Sequence, residues 1–276
     1  MRNLRIIIIS VFLVISVAFC ALFAYDRLIL DHEAPLIVCD GQPLRVSVNA
    51  TDKDLCAGLT ATDNVDGDIT DRIIVRKVSQ LVSSSSATVS YVVFDSSSNI
   101  CTFNRYVTYT DYRTPVFALT EALIYNVDAD ASLDGFLSAT DVVDGDITNR
   151  IRINAGNFTN TTEGNYPLHI SVTNSLGDTS SIDLVVQIRN ITTRHPVIRL
   201  QNYLIYVDKN SVVEDETLRN HIVMARETQG GSEIDPENVE ILSEIDTSQR
   251  GTYQVYYSYT NEQGLSYTAI LAVVVE

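Results

Sequence analysis

Tryptophan is absent from the sequence, and basic side chains are scarce: the 276 residues include 19 lysines and arginines against 35 aspartates and glutamates. The resulting net charge of −16 repels phosphate backbones, whose binding depends chiefly on lysine and arginine. The missing tryptophan removes the strongest stacking platform for sugars and the core residue usual in antibody domains. The composition therefore excludes nucleic acid as a favoured partner, while a 45% apolar content is enough for a buried core.

Common catalytic and phosphate-binding motifs are also missing. The sequence has no GxSxG elbow, no GxxxxGK[ST] phosphate loop and no HExxH zinc motif, and its four histidines stand singly. These absences favour a protein that is not an enzyme and that needs no organic cofactor.

A long apolar run occurs only at the N-terminus, and no second run of spanning length follows Tyr25. Residues 6–25 are uncharged and, as a helix, long enough to cross a hydrocarbon core of about 30 Å. Arg2 and Arg5 precede the run and acidic residues follow it, which predicts a cytoplasmic stub at 1–5 and an extracellular bulk. A cleaved signal peptide is the alternative, although its apolar region is usually about 7–15 residues long. We expect a single-pass signal anchor at 6–25.

The rest of the chain repeats itself. The segment LTATDNVDGDITDRI at 59–73 recurs as LSATDVVDGDITNRI at 137–151, with twelve of fifteen residues identical. A third unit is indicated because GNYPLHISVTNSLGD at 164–178 matches GTYQVYYSYTNEQGL at 251–265. Three prolines that open the units are 80 and 81 residues apart, at Pro35, Pro115 and Pro196. Periodicity of this length predicts tandem modules.

The pattern inside each module is typical of strands. Polar residues alternate with β-branched or aromatic ones near 88–94, 166–172 and 253–259, and turn signals separate such stretches. A unit of this length can hold the seven or so strands of an Ig-like sandwich. The sequence therefore predicts an all-β protein with three tandem Ig-like β-sandwich domains after the helix, the third divergent. Their predicted bounds are 33–111, 112–191 and 194–276, and the short linkers between them favour an elongated array.

The repeated acidic loop has two interpretations. It gathers three carboxylates around a glycine in each of the first two units: Asp63, Asp66 and Asp68, then Asp141, Asp144 and Asp146. Such a set suits oxygen-ligated Ca²⁺, although the spacing is too short for an EF-hand loop. In the favoured interpretation Asp66-Gly67 forms a tight turn and the aspartates accept hydrogen bonds from backbone N–H groups.

The motif ATDNVDGDIT, followed by an alternating strand, a Gly/Asn turn and a final V-x-V strand, resembles the bacterial Ig-like repeats with a DGDIT signature. The first unit also resembles a hyalin-repeat (HYR) module, in which a cysteine after the opening proline strand pairs with one in the last strand. That resemblance implies a disulfide between Cys39 and Cys101. Pairing of Cys56 with either of them stays open, and the third unit lacks the DGDIT motif.

Families of this kind serve as spacers, stalks and adhesion modules on bacterial surfaces. The resemblance therefore implies a membrane-anchored extracellular stalk that presents its distal domain to a protein or glycan ligand. Two alternatives are a calcium-stiffened adhesion array that uses the DGDIT loops and a structural subunit of an envelope assembly.

Overall fold

The computed structural model describes residues 2–28 and 31–276. Apart from one N-terminal helix and two short helices, its regular elements are strands and three 3₁₀ turns. The predicted all-β fold is therefore confirmed. Contacts divide the chain into two compact units, one ending at Tyr112 and the other beginning at Arg113.

The N-terminal helix α1 spans Arg2–Leu28. Its stretch Arg5–Tyr25 has a mean hydropathy of 3.1 and none of its surface is buried by the rest of the protein. In hydrocarbon a helix satisfies all of its backbone hydrogen bonds internally, so length and composition both suit a membrane span. Met1, the first residue of the predicted cytoplasmic stub, lies outside the described residues.

The first unit contains seven strands in two sheets, ordered β1-β3-β4 and β2-β7-β6-β5. Alternation along β6 buries Ala87, Val89, Tyr91 and Val93 between the sheets, as the period-2 pattern predicts. The short helix α2, Asp52–Leu55, connects β2 to β3 and begins with a Thr51–Asp54 capping box. The strands are β1 Leu36–Cys39, β2 Leu44–Val46, β3 Leu59–Asp63, β4 Gly67–Asp68, β5 Ile74–Val78, β6 Ser86–Phe94 and β7 Ile100–Tyr109.

Residues 113–191 repeat this plan with sheets ordered β11-β10-β8 and β12-β13-β14-β9. The long hairpin β13–β14 supplies most of the core, because inward positions such as Ile170 and Leu184 are almost fully buried. The strands are β8 Val116–Leu119, β9 Ile124–Asn126, β10 Leu137–Asp141, β11 Gly145–Asp146, β12 Arg152–Asn154, β13 Gly164–Thr173 and β14 Thr179–Arg189.

Residues 194–276 form sheets ordered β15-β17 and β16-β20-β19-β18. The short helix α3, Asp215–Arg219, lies between β16 and β17. The strands are β15 Val197–Leu200, β16 Leu204–Val207, β17 Ile222–Arg226, β18 Glu240–Ser243, β19 Gly251–Thr260 and β20 Ser266–Val275. Three 3₁₀ turns complete the chain, at Thr70–Arg72, Thr148–Arg150 and Pro236–Asn238.

The two repeats of the second unit share one hydrophobic core, which runs from Phe117 to Val273. Gln187, only 3% exposed, donates from Nε2 to the carbonyl oxygen of Thr268 at 2.9 Å. Within this unit the structure differs from an array of modules joined only by linkers. A short linker constrains only the connection between the two repeats. Both repeats also have apolar side chains on the surfaces that meet, and burying these side chains against each other is favourable.

Candidate metal centre and acidic loops

Each DGDIT loop is a tight turn at the end of a strand. Asp63 ends β3 and pairs with Gly67, whose φ of 73° is a left-handed conformation that glycine adopts without strain. In the second repeat Asp141 pairs with Gly145, at φ 71°. The predicted turn chemistry is therefore present in both loops.

Asp66 fastens its loop to the turn between β6 and β7. Its Oδ2 accepts hydrogen bonds from the backbone N of Ser96 at 2.8 Å, from Ser96 Oγ at 2.6 Å and from Arg72 Nη1 at 2.6 Å. These bonds, those from Ser96 first, hold the pKa of Asp66 below its usual range. The three hydrogen bonds connect the DGDIT loop to the turn after β6 and to the 3₁₀ turn that contains Arg72.

Asp144 forms the matching hydrogen bonds in the second repeat, and we call Asp66 and Asp144 the latch aspartates. It accepts from Ser175 N at 2.6 Å, from Ser175 Oγ at 2.7 Å and from Arg150 Nη1 at 2.5 Å. Burial acts to raise the pKa of Asp144, but the hydrogen bonds from Ser175 and Arg150 outweigh it and the pKa is lowered.

The third aspartate of each loop accepts a hydrogen bond from the first residue of the 3₁₀ turn that follows. Asp68 accepts from Thr70 N at 3.0 Å, and Asp146 accepts from Thr148 N at 2.9 Å. The hydrogen bond from the threonine lowers the pKa of each carboxyl group. Both aspartates thus satisfy backbone donors, as Asx turns do.

Asp63 differs from these aspartates because only one of its oxygens is used. Its Oδ1 accepts from Val65 N at 3.0 Å and from Asp66 N at 2.8 Å. Its Oδ2 is buried and accepts no hydrogen bond. Asp141 has the same Oδ1 contacts, yet its Oδ2 accepts from Asn174 Nδ2 at 3.1 Å.

Asp63 meets two further carboxylates, which we call the acidic trio: Asp31, Asp63 and Asp95. One ligand oxygen of each lies within 4.8 Å of the other two. Asp31 follows the N-terminal helix, and Asp95, 7% exposed, follows β6. In the described part of the chain this is the one such group of three or more acidic, histidine or cysteine side chains. Neither predicted triplet, Asp63–Asp66–Asp68 or Asp141–Asp144–Asp146, forms a group of this kind.

Sequence analysis missed Asp31 and Asp95 because they belong to segments that are 64 residues apart. A signal was available in the repeat itself. Asp95 directly follows the alternating strand 86–94, and Asn174 stands at the same place after the strand 164–173. The first repeat has a carboxylate, Asp95, where the second repeat has an amide, Asn174, and this difference distinguishes the two repeats.

All four cysteines have free thiols in the structure. The Sγ atom of Cys39 donates to Asp40 Oδ1 at 3.7 Å, and that of Cys101 to the carbonyl oxygen of Thr102 at 3.9 Å. Burial raises the pKa of the Cys56 thiol, and the charge of Asp52 adds to the effect. The Cys39–Cys101 bridge stays a prediction.

The second unit contains an open cleft of about 780 Å³. Arg113, Ser181, Tyr206 and Arg250 contribute polar groups to its walls, beside the acidic Glu276. Within residues 31–276, neither guanidinium forms an ion pair, so both have free donors for a ligand.

No family model matches the chain. The sequence is 24% identical over 212 residues to the pesticidal crystal protein Cry22Aa of Bacillus thuringiensis. That alignment covers 75% of this chain and 28% of the crystal protein, so this chain spans a minor part of its relative's length.

Solved structures with some likeness come from both bacteria and animals. The M60 catalytic domain with the CBM51-1 and CBM51-2 domains from Clostridium perfringens ZmpB is 13% identical, with a TM-score of 0.24, and the match covers 89% of this chain and 31% of that one. Drosophila N-cadherin EC1-4 is 14% identical, with a TM-score of 0.23, and the match covers 90% and 76%. At these TM-scores the whole chains do not superpose.

Proposed function

We propose that this chain is a non-enzymatic, membrane-anchored protein of the bacterial cell surface, whose Ig-like modules form an extracellular stalk that presents the distal module to a protein or glycan ligand. The observation that carries the proposal is the apolar helix segment Arg5–Tyr25, none of whose residues is buried in the protein. The regular elements that follow it are strands, apart from two short helices and three 3₁₀ turns. The charges flanking the helix favour a cytoplasmic N-terminus.

The contact surface in this proposal is the cleft of the second unit, to which the distal module, residues 194–276, contributes Tyr206 and Arg250. The cleft has two unpaired arginines, Arg113 and Arg250, in a protein whose net charge is −16. These two guanidinium groups favour ligands with carboxylate or phosphate groups, because arginine recognises both through paired N–H donors.

Topology is tested by expressing the full chain in a bacterial host and treating intact cells with a protease. The expected result is a membrane-bound chain whose β-sandwich modules are cleaved from outside. A chain that stays protected in intact cells, or that is released as a soluble protein, would contradict the proposal.

Ligand presentation is tested by binding intact cells that display the chain to an array of neutral and acidic glycans. We expect retention on acidic glycans, and loss of it in the double variant Arg113→Glu/Arg250→Glu. Arg76→Glu/Lys77→Glu, on β5 of the first unit, is the matched charge control. Equal retention of all three proteins would exclude the cleft as the contact surface.

A further inference from the structure

The acidic trio contains a buried charge that the protein does not satisfy. Asp63 Oδ2 is buried and accepts no hydrogen bond, and it lies beside the carboxylates of Asp31 and Asp95. Removing a carboxylate oxygen from water without a donor or counter-ion is costly, and two further carboxylates increase that cost by repulsion. No arginine, lysine or histidine forms an ion pair with any of the three in the described ranges. A cation bound between the three carboxylates would satisfy this oxygen and offset their repulsion.

The second repeat shows what this oxygen requires. Asp141 occupies the place of Asp63, and Asn174 the place of Asp95, since each pair joins the end of the same strand to the turn of the same hairpin. Asn174, 4% exposed, donates its amide N–H to Asp141 Oδ2 at 3.1 Å. Asp95 has carboxylate oxygens at this place, where Asn174 has an amide N–H group to donate. The first repeat has thus lost a donor at a position where the second repeat keeps one.

The third member of the trio also differs between repeats. Asp31 and Asp111 each stand four residues before the opening proline of a repeat. Asp111 accepts hydrogen bonds from Ser47 Oγ at 2.7 Å and Val48 N at 2.9 Å and so has its own partners. Asp31 is instead held at the trio by Asn64 Nδ2 at 3.2 Å and, through its carbonyl oxygen, by Asn99 Nδ2 at 3.1 Å.

We propose that Asp31, Asp63 and Asp95 bind one Ca²⁺ ion, and that the second repeat has no equivalent site. Oxygens on opposite sides of a Ca²⁺ ion are about 5 Å apart, given Ca–O distances of about 2.3–2.6 Å, so a separation of up to 4.8 Å fits a single ion. Three carboxylates supply oxygen ligands of the hard type that Ca²⁺ prefers, and water completes the usual six to eight.

The site joins three separate segments: the chain after the membrane helix, the end of β3 and the turn after β6. Ca²⁺ would tie Asp31, which lies three residues after the last residue of α1, to the first sandwich. Calcium thereby controls how firmly the membrane-proximal segment is attached to that sandwich. Binding itself is independent of the proposed surface function and is measured on the purified chain.

The test uses the full chain in detergent micelles, after treatment with a chelator that is then removed. Calorimetric titration with calcium is expected to show one Ca²⁺ ion bound per chain. The expected Kd is about 10⁻⁴–10⁻³ M, the range of extracellular calcium-binding modules. At about ten times that Kd, the melting temperature of the first unit should rise by a few degrees. No heat and no rise in melting temperature would overturn the proposal.

Asp95→Asn is the decisive variant because it copies Asn174 of the second repeat. It should abolish calcium binding and, without calcium, melt at a higher temperature than the parent, since the introduced amide can donate to Asp63 Oδ2. Asp31→Asn should also abolish binding, whereas Asp141→Asn in the second repeat should keep it. Calcium binding that survives in both Asp31→Asn and Asp95→Asn, or that Mg²⁺ matches in affinity, would overturn the assignment.

Discussion

Tyr257 Oη donates to the carbonyl oxygen of Leu218 at 2.9 Å, and both residues are buried. The bond joins the core strand β19 to the last turn of the short helix α3. Tyr91 makes the equivalent bond in the first unit, to the carbonyl oxygen of Leu55 in α2 at 2.6 Å. The second repeat has Ile170 at this position and no helix between β9 and β10. A tyrosine in the core strand thus accompanies the short helix in both repeats that have one.

Tyr257→Phe should destabilise the second unit by about 0.5–1.5 kcal/mol, because a buried hydrogen bond is lost while the carbonyl oxygen of Leu218 still accepts from His221 N at 3.2 Å. Tyr256→Phe is the matched control, since the neighbouring Tyr256 hydroxyl makes no hydrogen bond to the described residues. Thermal unfolding followed by circular dichroism measures both. Equal melting temperatures for the two variants would contradict the role assigned to the bond.

Stability should fall on acidification because of the latch aspartates Asp66 and Asp144. The pKa of each is lowered in the folded state, so their contribution is complete above the unfolded-state pKa of about 3.9 and is lost as the pH falls through the folded-state pKa. Melting temperatures measured from pH 7 down to pH 3 should decrease at the acid end.

The double variant Asp66→Asn/Asp144→Asn should melt lower at pH 7 and show a flatter acid limb, because the groups that titrate have been removed. Asp134→Asn, at an exposed position whose carboxylate accepts no hydrogen bond from the described residues, is the control. An acid limb as steep in the double variant as in the parent would assign the pH dependence to other carboxylates.

Gln187→Ala should weaken both repeats of the second unit together. It leaves the carbonyl oxygen of Thr268 without its donor and opens a gap in the shared core, at a cost of about 1–3 kcal/mol. Hydrogen exchange should become faster in β14, which contains Gln187, and in β20, which contains Thr268. Faster exchange confined to residues 113–191 would mean that the two repeats unfold separately.

Membrane attachment should depend on the middle of α1. Leu13→Arg/Val14→Arg places two charges where each costs about 2.5–3.5 kcal/mol on insertion, so the chain should leave the carbonate-washed membrane fraction. Leu13→Ala/Val14→Ala keeps the segment apolar and should stay in it. Retention of the arginine variant would place the attachment elsewhere in the protein.

Local sequence patterns predicted the strands and the N-terminal helix because neighbouring residues determine both. The stretches 88–94, 166–172 and 253–259 lie inside β6, β13 and β19, since alternate residues of a strand must face opposite sides of a sheet. Asp66-Gly67 is a turn because glycine tolerates a φ of 73°.

The acidic trio and the shared core could not be derived in this way. Asp31 and Asp95 meet Asp63 only in the tertiary fold, because β3 and β6 belong to different sheets and Asp31 lies outside both, and no local pattern encodes that distance. The hydrogen bond from Gln187 to Thr268 likewise joins two strands whose apolar and polar residues alternate as in any half-buried strand. Periodicity shows that a face is buried but not which surface covers it.

The strand near the entry of each repeat runs parallel to the strand at its exit: β2 beside β7, β9 beside β14 and β16 beside β20. Tension applied between the two ends of a repeat would pull these neighbours in opposite directions along their lengths. The hydrogen bonds between them would then be sheared together instead of being opened one after another, as in a peeled hairpin. Each repeat therefore has a shear clamp between its second strand and its last strand.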